Sequence, residues 1–433
     1  MRNRLMCAVM AGGFGLWGVA AGMSKEEIIN GAQGRIEKYR KGQAVLRLKA
    51  ADGRMIGEGK VASIEQAGHE FLFGCNIFKL GGCASERDNA EYAREFSELL
   101  NYATLPFYWW NYSNTYGRMN DENTDVVVKW CREHDITTKG HPLAWNYVDP
   151  RWLPKDVDEA MKEQFARVGR CAGRFAGGID IWDVVNEATH YDRPECIERA
   201  PKLTAGIEKM GVGAYVREAF AAARKANPDA TLVINDYRTD QAYIDKVIKE
   251  LVDDKGKALY NVIGIQSHMH GGYWGAKTTW DVCEKYAQFG APLHFTETTI
   301  VSGPKTKDGW DSNPAGEERQ ARETAEFYTV LFSHPSVEAI TWWDFTDQGA
   351  WQGAPAGFVR KDMTPKPVYD ALKGLIKDKW WTKAEAKVGE GGEARFEGFY
   401  GKYKVEVEEG GRKMSGTFSF NKGTAGAIEV EVN

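Results

Sequence analysis

The sequence predicts an α/β protein, a (β/α)8 TIM barrel with a small accessory β region built from both chain ends. Three observations carry that reading. Eight short apolar runs alternate with helical patterns over roughly 310 residues, as such a barrel requires. No Gly-x-Gly-x-x-Gly follows the first run, which disfavours an open dinucleotide-binding sheet. Both chain ends show the two-residue alternation of exposed strands instead.

The eight runs, in order, are Phe71–Phe78, Tyr102–Trp109, Ile136–Trp145, Ile179–Ala188, Thr231–Tyr237, Asn261–His268, Pro292–Ile300 and Ala339–Asp347. Helix signals separate them. Ser85 is placed to cap a helix carrying Tyr92, Phe96 and Leu99 on one face. Pro154-Lys155-Asp156 precedes a helical pattern that runs to Phe175, and Pro314 opens another that runs through Phe332. The barrel is expected over 71–380. It is flanked by an N-terminal β segment, 23–70, and a C-terminal one, 381–433. Residues 43–70 have turns at Asp52-Gly53 and Gly57, and residues 394–433 at Gly410-Gly411 and Lys422-Gly423. Each piece is too short to bury a core alone, so they form either one β-sandwich drawn from both ends or two separate edge hairpins.

Residues 1–22 read as an export signal. Arg2 and Arg4 precede an apolar, glycine-rich run from Leu5, and small residues at Val19-Ala20-Ala21-Gly22 suit cleavage. The run is short for a membrane span and its glycines disfavour a helix, so a secreted or periplasmic protein without a membrane span is expected. The net charge of −5 and the lack of a basic patch argue against nucleic acid as a partner. With 15 Trp, 18 Tyr and 19 Phe, the chain has flat apolar rings to spare for the faces of sugars. After Cys7, six cysteines remain, none in a Cys-x-x-Cys pair. They are either disulfide partners or buried thiols.

Catalytic residues of such barrels sit at the C-terminal ends of strands. Two glutamates hold that position: Glu187 closes Ile-Trp-Asp-Val-Val-Asn-Glu on the fourth run, and Glu297 closes Leu-His-Phe-Thr-Glu on the seventh. Those runs face each other across the barrel mouth, a placement that suits two carboxyls flanking a glycosidic bond. A rival reading takes His268-Met269-His270 as the His-x-His of a metal-dependent hydrolase, but no Asp stands where a metal set would want it beside Glu297. A glutamate pair needs no metal or cofactor.

The chain resembles glycoside hydrolase family 10, the endo-β-1,4-xylanase family, as a divergent member. Gly140-His141-Pro142-Leu143-Ala144-Trp145, Trp182 through Glu187, Ile234-Asn235-Asp236-Tyr237, Gly264 through His268, Phe295-Thr296-Glu297, Ile340-Thr341-Trp342-Trp343 with Trp351, and Pro365 through Ala371 follow that family's pattern in order. The resemblance implies a retaining hydrolase of β-1,4-xylan-type polysaccharide, with Glu187 as acid/base and Glu297 as nucleophile. It implies that Asn186 binds the sugar 2-hydroxyl and that His268 supports Glu297. His141, Trp145, Tyr237, Gln266, Trp343 and Trp351 become substrate-binding residues. Alternatives are a retaining endo-hydrolase of another β-linked or decorated polysaccharide, and a non-catalytic carbohydrate-binding barrel.

Two segments depart from the family. Its second strand ends in Pro-Glu-Asn-x-x-Lys, whereas this chain reads Pro106-Phe107-Tyr108-Trp109-Trp110-Asn111. Tyr108 and Trp109 are therefore expected as sugar platforms in place of polar grips. After the nucleophile the family carries Glu-x-Asp, and this chain has Glu297-Thr298-Thr299, which leaves the orienting partner of His268 open.

Overall fold

A computed structural model of the protein describes residues 22–433. The expected export segment lies outside them, apart from Gly22. In chain order the strands are β1 (Lys41–Ala50), β2 (Val61–His69), β3 (Leu72–Asn76), β4 (Tyr102–Pro106), β5 (Thr137–His141), β6 (Ile181–Asn186), β7 (Thr231–Asp236), β8 (Val262–Met269), β9 (Leu293–Ile300), β10 (Lys305–Thr306), β11 (Gly309–Trp310) and β12 (Val337–Trp342). They continue as β13 (Lys383–Lys387), β14 (Glu393–Phe399), β15 (Gly401–Glu409), β16 (Arg412–Phe420) and β17 (Ala427–Val432).

Strands β3 to β9 pair in parallel with their sequence neighbours, and β12 lies between β9 and β3, closing an eight-stranded barrel. Ala339 stands opposite Leu72 where the ring shuts. The strands read as nearly unbroken apolar runs because helices cover their outer faces while side chains fill the inside. Every residue of β9 is buried. The helices begin where the sequence offers caps. Ser85 accepts from the Asp88 N–H at the head of Glu86–Leu99, Asp156 from Glu159 at Val157–Arg174, and Asn313 from Gly316 at Pro314–Ser333.

The ends of the chain make two small sheets. One has the order β14-β1-β17, the other β13-β2-β15-β16, so each combines strands from both termini. Their inward side chains, among them Leu46, Leu48, Ile64, Phe396, Val405, Phe418 and Val430, form one apolar cluster distinct from that of the barrel.

Several strands stop before their apolar runs do, and two of these stops shape the site. β4 stops at Pro106 and gives way to a single helical turn, Trp109–Tyr112; β5 stops at His141. The six cysteines of the described residues are free thiols, all but Cys83 buried. No helix among the described residues is long and apolar enough to cross a membrane.

Candidate active site

The carboxyl ends of β5 to β9 and β12 bring the site together, and three β-bulges set its aim. The register slips between Asp183 and Val185 on β6, between Ile265 and Gln266 where β8 meets β9, and between Ile340 and Trp342 on β12. A bulge turns the side chains beyond it relative to those before it, which is how Asn186, Gln266 and Glu297 come to share one cavity. Glu187 follows β6 in the left-handed region, φ 58° and ψ 36°. A non-glycine residue held there costs about 1–3 kcal/mol and typically marks a functional position. Its backbone N–H donates to Asn235 O at 2.9 Å, tying the turn to β7.

Glu297 sits inside β9 rather than at its end, because β8 and β9 run on past the site. Its Oε1 accepts from Asn235 Nδ2 at 2.8 Å and lies 3.8 Å from His141 Nε2; its Oε2 lies 3.2 Å from His268 Nε2. Burial works against a charge on Glu297. The nearby His141, the hydrogen bond from His268 and more distant Lys139 outweigh that and hold the carboxyl below its usual range. Under the site, Asp183 Oδ2 takes His141 Nδ1 and Lys139 Nζ, each at 2.7 Å, in the fully buried barrel interior. Asp183 therefore fixes the ring that approaches Glu297.

The partner that orients His268 is Thr299 itself, whose Oγ1 is 3.0 Å from Nδ1. A carboxylate can only accept, so Nε2 carries the hydrogen toward Glu297, and the Thr299 hydroxyl is free to donate to Nδ1. Both ring nitrogens of His268 are thereby engaged.

Asn186 is read the same way. Its Oδ1 accepts from Asn235 Nδ2 at 2.8 Å and from Gln266 Nε2 at 3.1 Å, so its amide N–H groups remain for a ligand. Gln266 also donates to Glu187 Oε1 at 3.1 Å. A continuous chain of hydrogen bonds thus runs from Glu187 through Gln266, Asn186 and Asn235 to Glu297. Thr296 Oγ1 donates to Asn235 Oδ1 at 2.5 Å, and a Cβ on Gly264 would approach that oxygen to 2.7 Å, so Gly264 leaves room for the Asn235 amide.

Aromatic rings wall the cavity. Trp343 packs edge-on against His141 and His268, with centroids at 5.3 and 5.7 Å, and Trp351 covers His268 from the rim while 45% exposed. Trp145 stacks on Tyr147 at 4.4 Å, and Tyr237, at the β7 end, meets His190 through its hydroxyl at 2.6 Å. Tyr108 lies edge-on to His141, 5.7 Å away, and stacks on Trp110 at 5.2 Å. Trp109 does not join it. Because the strand ends at Pro106, Trp109 begins a helical turn and is buried against Trp152 and the Arg167 guanidinium. Phe107, where the family has Glu, is also core, edge-on to Trp182 at 4.9 Å.

The barrel matches known proteins. The model of glycosyl hydrolase family 10 matches residues 68–375, well over half the chain. The chain belongs to glycosyl hydrolase family 10. Anti-sigma-I factor RsgI6 of Acetivibrio thermocellus is 24% identical over 92% of this chain, which spans about half (49%) of that protein. Endo-1,4-beta-xylanase 3 of Hypocrea jecorina is 27% identical over 62% of this chain and 72% of the relative. Xylanase 10B of Thermotoga petrophila, solved with xylobiose, shares the fold at a TM-score of 0.59 and 24% identity, covering 72% of this chain and 95% of that one.

Several residues around the glutamates of this family 10 glycoside hydrolase had no role in the reading of the sequence, among them Asn235, Asp183, Lys139 and Arg193. Asn235 and Asp183 stand within the matched motifs. Arg193 follows β6 in the loop and pairs with Glu187 Oε2.

Proposed function

We propose that this barrel is a retaining hydrolase of β-1,4-xylan-type polysaccharide, acting outside the cytoplasm after export. The observation that carries the reading is the asymmetric setting of the two glutamates. Glu297 is buried among His141, His268 and Asn235, which favour its ionised form, while Glu187 stands across the Asn186–Gln266 bridge with one oxygen toward the rim. Retaining enzymes use such a pair about 5–5.5 Å apart.

In the first step Glu297 attacks the anomeric carbon as Glu187 gives its proton to the departing glycosidic oxygen. The bond from carbon to the leaving sugar breaks and an ester to Glu297 forms. Glu187, now a carboxylate, takes a proton from water, whose oxygen attacks the same carbon and frees Glu297 with the configuration retained. The free N–H groups of Asn186 face the sugar 2-hydroxyl, a contact that strengthens as positive charge builds on the ring. His141, Trp145, Trp343 and Trp351 enclose the sugar being cleaved, and Tyr237 and Gln266 complete the cavity.

A second reading, a different or decorated β-linked polysaccharide, is favoured by the Tyr108–Trp110 pair, which offers stacking where relatives offer Glu, Asn and Lys. The test of the main reading separates the acids. On an aryl β-xyloside with a good leaving group, Glu187→Ala should keep turnover that Glu297→Ala loses, because only nucleophilic attack is then demanding. Equal loss in both variants would remove the assignment of roles.

A further inference from the structure

Arg193 pairs with Glu187, while the recorded partners of Glu297 are His141, His268 and Asn235; if Glu187 is the acid that faces the leaving oxygen, Arg193 stands beside the leaving sugar. The guanidinium occupies Oε2 of Glu187, while the proposed step needs this carboxyl turned to the glycosidic oxygen. Its other terminal nitrogen, Nη1, is buried with no hydrogen-bond partner among the described residues, as is the indole N–H of Trp145 beside it. Around it stand the rings of Trp145, Tyr147 and Tyr237, 5.8–6.0 Å from the guanidinium carbon, and Arg199 lies over Tyr147 at 4.5 Å. In a chain of net charge −5, two arginines thus converge on an aromatic wall next to the acid. Aromatic faces suit a sugar ring, and a planar guanidinium suits a carboxylate held by two parallel hydrogen bonds.

We propose that Arg193 selects a substrate whose leaving-group side carries a carboxylate, as a uronic acid branch does, and that this carboxylate draws the guanidinium off Glu187. Oε2 of Glu187, released from the guanidinium, is then free to face the glycosidic oxygen; no covalent bond changes in this exchange. A neutral substrate leaves the ion pair in place and is cleaved more slowly. This inference rests on the reading of Glu187 as the acid of a retaining hydrolase.

The test uses the full-length protein and three xylo-oligosaccharides of one backbone length: unbranched, bearing one glucuronic acid, and bearing its methyl ester, which keeps the shape and removes the charge. The wild type should prefer the acid over the ester in kcat/KM by about ten- to hundredfold, the usual worth of a charged hydrogen bond, and added salt should shrink that ratio. Arg193→Gln should bring the ratio to within about twofold of one, and Arg193→Lys, which keeps a charge without the fork, should restore part of it. Acid and ester cleaved alike by the wild type, or a ratio that survives in Arg193→Gln, overturns the proposal. If Arg193→Gln does not fold, the wild-type ratio, its salt dependence and the Lys variant still decide. Should the wild type leave even an activated aryl β-xyloside intact, the hydrolase reading itself falls. Turnover of that xyloside with equal rates on acid and ester removes only the role of Arg193.

Discussion

A hydroxyl gives or takes a hydrogen bond, and Thr299 brings that freedom to His268. An aspartate could only accept from Nδ1, whereas the Thr299 hydroxyl, 3.0 Å away, can pair with Nδ1 in either direction while Nε2 faces Glu297. Thr299→Val should therefore lower kcat/KM by about 5- to 150-fold, the cost of a lost buried partner, with KM little changed, while Thr299→Ser retains most of it. An unaltered kcat in Thr299→Val would show that His268 needs no second anchor. The two glutamates were legible because each follows an intensely apolar stretch within its run. The hydrogen bonds that join them were not, since Asn235 reaches Asn186 across 49 positions and Glu297 across 62. A pH dependence belongs at this scale too. Burial raises the Asp236 carboxyl to about 6, against hydrogen bonds from the Arg238 and Thr189 backbones. The native state therefore binds a proton between about pH 4 and 6 that the unfolded chain releases. Stability falls across that window as pH rises, by up to about 3 kcal/mol from this group. Asp236→Asn should flatten that slope in urea titrations at several pH values; an unchanged slope would assign the titration elsewhere.

Strand β4 shows how an element's end decides what its side chains do. Its apolar run continues to Trp109 in sequence, but the strand ends at Pro106, the Phe107 N–H gives a last bond to His141 O, and the chain turns helical at Trp109. Strand alternation would have offered either ring to the cleft. The helical turn instead places Tyr108 and Trp110 together and sends Trp109 under the rim. Periodicity reads the run and not its stop, because both strand and turn accept aromatic residues. Trp109→Ala should then lower stability by about 3–5 kcal/mol, as large-to-small core changes do. Tyr108→Ala should leave the melting temperature nearly unchanged and lower kcat/KM on long substrates by roughly 5- to 150-fold, the equivalent of one stacked ring. The opposite pattern, with Tyr108 carrying stability and Trp109 carrying turnover, would reverse their placement. Restoring Glu at Phe107 is a poor route to family-like binding, because the position is fully buried against Trp182 and would hold an unpaired charge.

At the scale of the whole molecule, the chain ends depend on each other. β1 is flanked by β14 in antiparallel and β17 in parallel register, and β2 by β13 and β15, so every partner of the N-terminal pair comes from beyond Trp380. Alternation revealed these strands, but nothing local could say which end pairs with which, because period-two patterning is the same for any partner. The junction with the barrel is aromatic: His69 contacts Phe73 and Phe332 on one side and Trp381 and Phe399 on the other. Removing residues 381–433 would leave two long strands with bare edges and uncover Leu46, Leu48 and Ile64, which are at most 1% exposed in the full chain. Unpaired edges of that kind seek other chains. A protein ending at Trp380 should therefore be recovered mainly as aggregate, and a subsequent deletion of 41–66 from it should restore solubility by removing the orphaned strands. The barrel cluster is separate from that of the two terminal sheets, so that doubly shortened chain should keep measurable turnover of an aryl β-xyloside, with a lower melting temperature from the loss of the His69 contacts with Trp381 and Phe399. Sedimentation and activity of the three chains side by side decide the matter. If the chain ending at Trp380 stays monomeric and melts with the full-length protein, the N-terminal strands do not need their C-terminal partners.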